Sequence, residues 1–237
     1  MKIHCHFLRA SAAISLIILT ACAGGPREME AEDYQANLVL DVGQRIRNTP
    51  KYPMTLGVML MRDQRLAPFL GESDSYFRQP VPEGLSRSLY FSLNRSGLFN
   101  NVEFINETPK ERMSATELRQ IGEQHQVDLI LFADLTTFNF VRRSLVEDLS
   151  WFAATTETRQ AREQDFEATV ALGFIGQILH VATGTVVWGE EVKSFESTYA
   201  AEGTLSPTEF NDLTDTLLAG SFTRLAQFID ATGLVPR

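Results

Sequence analysis

Residues 166–192, FEATVALGFIGQILHVATGTVVWGEEV, decide the fold. Phe166, Ala168, Val170, Leu172 and Phe174 take every second position, which in a strand puts all five on one face. Thr183-Gly184-Thr185 then turns the chain into a second apolar run, Val186 to Val192, so the stretch reads as a β-hairpin. Just beyond it, Ser206-Pro207-Thr208-Glu209 combines a capping box with proline at the first helical position. Phe210, Leu213, Leu217, Leu225 and Phe228 follow on one face, predicting a C-terminal helix of about 35 Å that lies across the sheet.

Upstream the pattern is different. Met54 to Met61 is an apolar run between Pro53 and Arg62 and reads as a buried strand. After a polar stretch through Pro82, Leu85, Leu89 and Leu93 form one stripe of a helix that Gly97 can close in a left-handed C-cap. Val102 to Ile105 is a second strand. Ser114-Ala115-Thr116-Glu117 is a capping box that starts a second helix with Leu118 and Ile121 inward, and Val127 to Ala133 is a third strand. Strands separated by helices imply parallel pairing, because a crossover helix returns the chain to the same end of the sheet. Leu38, Val42 and Ile46, four residues apart, predict a further short helix ending before Asn48-Thr49-Pro50. The expected class is therefore α/β to α+β, a mixed sheet of about five strands with helices packed on it and a long C-terminal helix. Residues 34–237 are expected to form one domain.

The amino terminus has the layout of a secretory signal peptide: Lys2 and Arg9, then an apolar core from Ala10 to Leu19. That core falls well short of the roughly 20 residues that cross a bilayer as a helix. Leu19-Thr20-Ala21-Cys22 resembles the bacterial lipobox. The resemblance implies cleavage after residue 21, a diacylglyceryl group and an acylated amine on Cys22, and firm anchoring to a lipid bilayer by several chains. In lipoproteins an aspartate after the cysteine signals inner-membrane retention; Ala23 stands here, which implies the outer membrane with the body facing the periplasm. Residues 22–33 then form a lipidated tether. Cys5 lies in the leader, so no thiol pair remains to form a disulfide.

Without Lys2 and Arg9 the chain keeps 19 of its 21 Lys and Arg against 30 Asp and Glu, a net charge of −11. Such a surface argues against nucleic acid as a partner, since phosphate binding needs basic patches.

The chemistry-bearing patterns are missing. Glycines form neither a dinucleotide fingerprint nor a phosphate loop, and there is no Gly-x-Ser-x-Gly or His-Glu-x-x-His. Beyond the leader only His125 and His180 remain, the first at a helix end where an imidazole can satisfy terminal carbonyls, the second beside the hairpin turn. Asp128 and Asp134 read as groups at the two ends of one strand, about 20 Å apart and too far for paired-carboxylate catalysis. No catalytic residue, cofactor or metal site is expected, and an enzyme, as a periplasmic hydrolase, is the disfavoured reading.

The segments LSRSLYFSLNRSGLFNNVEFI, VDLILFADLT and VALGFIGQILHVATGTVVWGEEV, in that order, resemble the α/β domain of a family of envelope proteins. It is shared by the curli-secretion channel lipoprotein, the lipoprotein activators of penicillin-binding proteins and the amino-terminal domain of the Tol-system periplasmic protein. The chain departs from it where LGVMLM lacks a closing Leu-Pro-Phe and where the next loop is long. Curli-type channels also carry extra membrane-spanning strands of about ten residues, and no such alternating pair lies between the first and third strands. The resemblance implies a non-enzymatic accessory or assembly factor of an envelope machine for transport, polysaccharide export or cell-wall synthesis, acting through an envelope protein partner. The alternative is a homo-oligomer, the subunit of a secretion ring.

The connection from Phe140 to Asp165 is longer than a hairpin needs. Leu145, Leu149 and Phe152 share one helical face while Trp151 points away, which nominates Trp151 as a partner contact.

Overall fold

The computed structural model describes residues 36–40, 46–66, 73–107, 110–111, 113–144, 166–200 and 205–235. In chain order these give strand β1 (Tyr52–Met59), the short β2 (Arg62–Asp63), a 3-10 turn at Ser73–Tyr76, helix α1 (Val81–Ser96), β3 (Phe99–Ile105), α2 (Ala115–Gln124), β4 (Leu129–Ser144), β5 (Phe166–His180), β6 (Thr185–Ala200) and helix α3 (Pro207–Thr232). All the strands join one mixed sheet in the order β3-β1-β4-β5-β6, with β2 also on β4. This is the expected mixed sheet, with the two-residue β2 as a sixth strand.

The sheet changes character at β4. On one edge β4 takes β1 in parallel over Leu129–Leu131, and on the other it pairs with β5 antiparallel from Leu129 to Ser144. β5 and β6 pair antiparallel along their whole length. The short parallel strands therefore flank only the lower half of the sheet. The upper half is a three-stranded antiparallel extension of strands about 50 Å long.

Helices α1 and α3 cover one face. Leu85, Leu89 and Leu93 of α1 are buried against the sheet, and Gly97 (φ 67) closes that helix in the left-handed conformation. α3 runs 26 residues, about 39 Å, and its capping box is present, with Ser206 accepting from the Glu209 N–H. Phe210, Leu213, Leu217, Phe222, Leu225 and Ile229 face inward. Phe228, expected on this stripe, is 41% exposed, because positions recurring every four residues carry the buried face from Leu225 to Ile229. At its upper end Phe210 meets Tyr76, Phe77 and Phe140, with ring centroids 4.9–5.9 Å away. At its lower end Thr232 accepts a hydrogen bond from Trp188 Nε1 at 3.2 Å.

Among the described elements, the other face is covered only below. There α2 buries Leu118 over Met59, Ile105, Val127, Ile130, Leu179 and Val181. It sits so close that a Cβ on Gly122 would lie 2.3 Å from Val181 Cγ2.

Two expectations are corrected. The helix predicted through Leu38, Val42 and Ile46 does not start at Leu38: residues 36–40 carry no helix, and three of their N–H groups bond outside the segment. Ala36 N–H donates to Tyr76 O (2.7 Å), Leu38 N–H to Gln79 Oε1 (3.0 Å) and Leu40 N–H to Ser88 Oγ (3.0 Å). Leu38 is buried while Ile46 is exposed, so they share no face; Val42 lies outside the described residues. Second, the strand predicted over Val127–Ala133 continues to Ser144, so the first five residues of the supposed 140–165 connection are strand. A register shift between Leu135 and Thr137 moves the inward positions from odd to even numbers, and Phe138 takes up the core face again.

Leu89→Ala should lower the unfolding free energy by about 2–5 kcal/mol, the range for truncating a fully buried leucine. A urea midpoint equal to that of the parent chain would show that the α1 stripe is not the core seam.

Candidate functional site

The conspicuous polar construction lies at the junction of the two halves of the sheet. β2 places Arg62 opposite Asp134 and Asp63 opposite Leu135. Arg62 Nε donates to Asp134 Oδ1 at 2.8 Å and Nη2 to Asp134 Oδ2 at 2.6 Å, a two-pronged pair. Its remaining nitrogen, Nη1, donates to the carbonyls of Lys110 and Glu111. Arg62 thus fastens the chain before α2 to β4.

Two hollows meet at this arginine. One, of about 380 Å³, lies between α2 and the open sheet face; Met113, Leu118, Phe132, Ile175 and Leu179 line it, with the Arg62–Asp134 pair at its end. The other, of about 400 Å³, lies against the start of α1 and is bordered by Leu60, Met61, Pro80, Pro82 and Glu83. Both are open and mainly apolar. Several of the charges at their rims are spent on internal pairs, Arg62 with Asp134, Asp63 with Arg65 and Glu83 with Arg87, which suits the hollows to contacts with apolar surface.

Next to them Arg65, with a side chain 1% exposed, is held by two carboxylates. Nε and Nη2 donate to Asp63 Oδ1 and Oδ2 at 2.9 and 2.7 Å; Nη1 and Nη2 donate to Asp74 Oδ1 and Oδ2 at 2.7 and 3.0 Å. Burial alone would lower the Arg65 pKa, but the bonds to Asp63 and Asp74 outweigh it and the pKa is raised. Asp63 is held below its ordinary value by the Arg65 guanidinium, against the opposing effect of burial.

The residues singled out from sequence fare differently. Cys22 and Trp151 lie outside the described residues. Asp134 is not at a strand end: β4 runs ten residues past it, and it is the partner of Arg62. Asp128 does precede β4, where its Oδ2 accepts from Thr55 N–H at 2.8 Å. His125 caps α2 with its backbone N–H, bonded to Ile121 O, while its ring contacts Glu107 Oε1 at 3.1 Å; the imidazole does not serve the helix carbonyls. His180 ends β5 beside the turn, with Nδ1 3.4 Å from Thr183 Oγ1. Among the described residues no group of three or more His, Cys, Asp or Glu is placed to hold a metal ion, and no helix is long and apolar enough to cross a membrane. Sequence reasoning missed the Asp63, Arg65 and Asp74 cluster, because alternating charges in a polar stretch look like any solvated loop.

No family model matches the chain, and no curated protein matches it. Solved structures do align with it. A Xanthomonas campestris protein of the DUF330 family has a TM-score of 0.48 at 12% identity, over 82% of this chain and 92% of that one. Lipoprotein GNA1162 from Neisseria meningitidis scores 0.39 at 8% identity, over 76% and 100%. The LpoB C-terminal domain from Salmonella enterica scores 0.32 at 10%, over 63% and 87%. At these scores the likeness is one of chain path, and no role is carried over from it.

Asp63→Asn should destabilise the fold by about 2 kcal/mol at neutral pH, the worth of hydrogen bonds to a charged group. The depressed Asp63 pKa gives stability that is complete above its ordinary 3.8 and is lost as pH falls below that value toward the folded-state pKa. The parent chain and Asp63→Asn should therefore converge in thermal midpoint on acidification; a gap that stays constant down to pH 2 would contradict the assignment.

Proposed function

We propose that the chain is a lipid-anchored, non-enzymatic protein of the bacterial cell envelope. It is held in the outer membrane by acylated Cys22, with its body in the periplasm, and serves an envelope machine for transport, polysaccharide export or cell-wall synthesis as an accessory or assembly factor. The observation that carries this reading is Leu19-Thr20-Ala21-Cys22 at the end of a ten-residue apolar core, Ala10 to Leu19, preceded by Lys2 and Arg9. A peptidase that needs small residues before a cysteine finds them here.

The geometry of the body supports the second half of the reading. Ala36, the first described residue, is fully buried and bonded on both sides, to Tyr76 O and from Arg78 N–H. Fourteen residue-to-residue steps separate it from Cys22, which at about 3.3–3.6 Å per step reach at most about 50 Å. The body therefore works close to the bilayer. Its hollows offer apolar floors bordered by arginine and aspartate already paired with each other, an arrangement for contact and not for moving a proton. Trp151 is proposed as a contact to the partner protein.

Cys22→Ser should abolish incorporation of a radioactive fatty acid into the protein, and persistent labelling would end the lipoprotein reading. Trp151→Ala should weaken partner capture from solubilised membranes while the thermal midpoint stays nearly unchanged. Undiminished capture, or a drop of many degrees in the midpoint, would make Trp151 a bystander or a core residue.

A further inference from the structure

We infer that the upper end of the antiparallel extension is a membrane-contacting surface, with Phe195 and Tyr199 of β6 resting in the headgroup layer of the bilayer that anchors the chain. The inference rests on the lipid anchor proposed above.

The first observation is exposure. Tyr199 at 73% and Phe195 at 72% are the most exposed large hydrophobic side chains among the described residues. They stand four positions apart on a strand, so both point from the same face, about 13 Å from one another. It is the face that α2 leaves uncovered. Pairing puts Phe195 beside Ala171 and Asn139, and the row between the aromatics consists of Ser197, Thr169 and Val141. Val141 is 47% exposed, and Leu66, also 68% exposed, follows Arg65, whose Nη1 bonds Phe138 O near the same end. Ile46, Phe228 and Val235 are exposed at the lower end, but among the described residues only the upper face carries two aromatic rings more than 70% exposed, and such a pair marks a contact surface.

The second observation is where the described chain begins. Ala36 is bridged to Phe77, and the neighbouring Tyr76 packs on Phe140 with centroids 5.3 Å apart. Phe140 lies four residues short of the end of β4. Ala36, the first described residue, therefore lies toward the end that carries Leu66, Val141, Phe195 and Tyr199. The lower end, with Ile46, Lys51 and the end of α3, faces the other way: Arg47 and Lys51 both pair there with Asp230.

The third observation is charge. The chain is acidic overall, at −9, yet the outermost row of this face sets Tyr199 beside Glu167 and Arg143, while Arg142 points to the other face, over the Phe166 ring. Among the described residues one basic and one acidic group balance in that row, which suits a zwitterionic headgroup such as phosphatidylethanolamine. Tyr199 has the polar edge of the side chains that settle at a membrane–water boundary, and Phe195 adds an apolar ring on the same face. Two such rings add attraction only at short range, so they orient a body that the acyl chains already hold.

The test uses the full acylated protein in vesicles of phosphatidylethanolamine with a minority of phosphatidylglycerol, carrying Phe195→Trp or Tyr199→Trp. The added emission is read as the difference from the parent, which contains Trp151 and Trp188. Brominated acyl chains should reduce that emission roughly twofold or more, while Ile46→Trp at the lower end should be unaffected. No quenching at either upper position, or equal quenching at position 46, overturns the inference. So does a blue shift without vesicles that accompanies a doubled mass, which would mean a second copy covers the face. Fatty-acid labelling of the same preparation reports on Cys22 separately: an unlabelled chain sinks the anchor, and a labelled chain without quenching sinks only the membrane contact.

Discussion

Everything in this domain hangs on the two unlike edges of β4. Its lower edge accepts β1 in parallel for only three residue pairs, Leu56 to Val58 against Leu129 to Leu131. Its other edge holds β5 antiparallel from Leu129 to Ser144, interrupted only at Thr136. The parallel side requires crossover helices, and α1 and α2 are those helices, one on each face. The antiparallel side needs only turns, so it can outgrow the helices that cover it. α3 follows the extension on one face; nothing among the described elements follows it on the other. The open face and the hollow beside α2 are consequences of that mismatch in length.

Where strands outgrow their neighbours, something must brace them. Here the brace is ionic. Arg62 and Arg65 lie on the strand-and-loop segment after β1 and join it to Asp134, Asp63, Asp74 and the Phe138 carbonyl. A guanidinium so placed satisfies several acceptors at fixed angles, which a lysine could not. The serines of α1 do similar work below: Ser86 Oγ accepts from Met61 N–H at 2.7 Å, and Ser88 Oγ from Leu40 N–H at 3.0 Å. Both stand in for strand partners that the chain does not provide at the end of β1 and in residues 36–40. The free edge of β6 is protected in part as well, since Val235 N–H bonds Val187 O at 2.9 Å.

How much of this is legible in the sequence depends on the range of the forces. Caps and turns are local, so Ser114, Ser206, Gly97 and Gly184 announced their elements correctly. The stripe Leu85, Leu89, Leu93 is periodic and was equally plain. Residues 36–46 misled because Leu38 and Ile46 share helical spacing, while the actual partners of their segment, Gln79 and Ser88, lie more than forty residues away. The upper half of β4 was hidden by the irregularity between Leu135 and Thr137, which breaks the alternation that identifies a strand. Of the proposed site, Cys22 is nominated by a local pattern, Leu19-Thr20-Ala21-Cys22, which is read from sequence alone. The Arg62 and Arg65 pairs are tertiary and left no local trace.

The role proposed for the chain, holding and positioning others beside a membrane, joins a lipid anchor at Cys22 to the open sheet face above α2. The account stands or falls on the first residue of the mature chain. Mass spectrometry of protein purified from membranes and digested with trypsin should find an N-terminal peptide Cys22 to Arg27 bearing a diacylglyceryl group and an N-acyl chain. A mature chain that keeps residues 1–21, begins at another residue, or carries an unmodified Cys22 would contradict it.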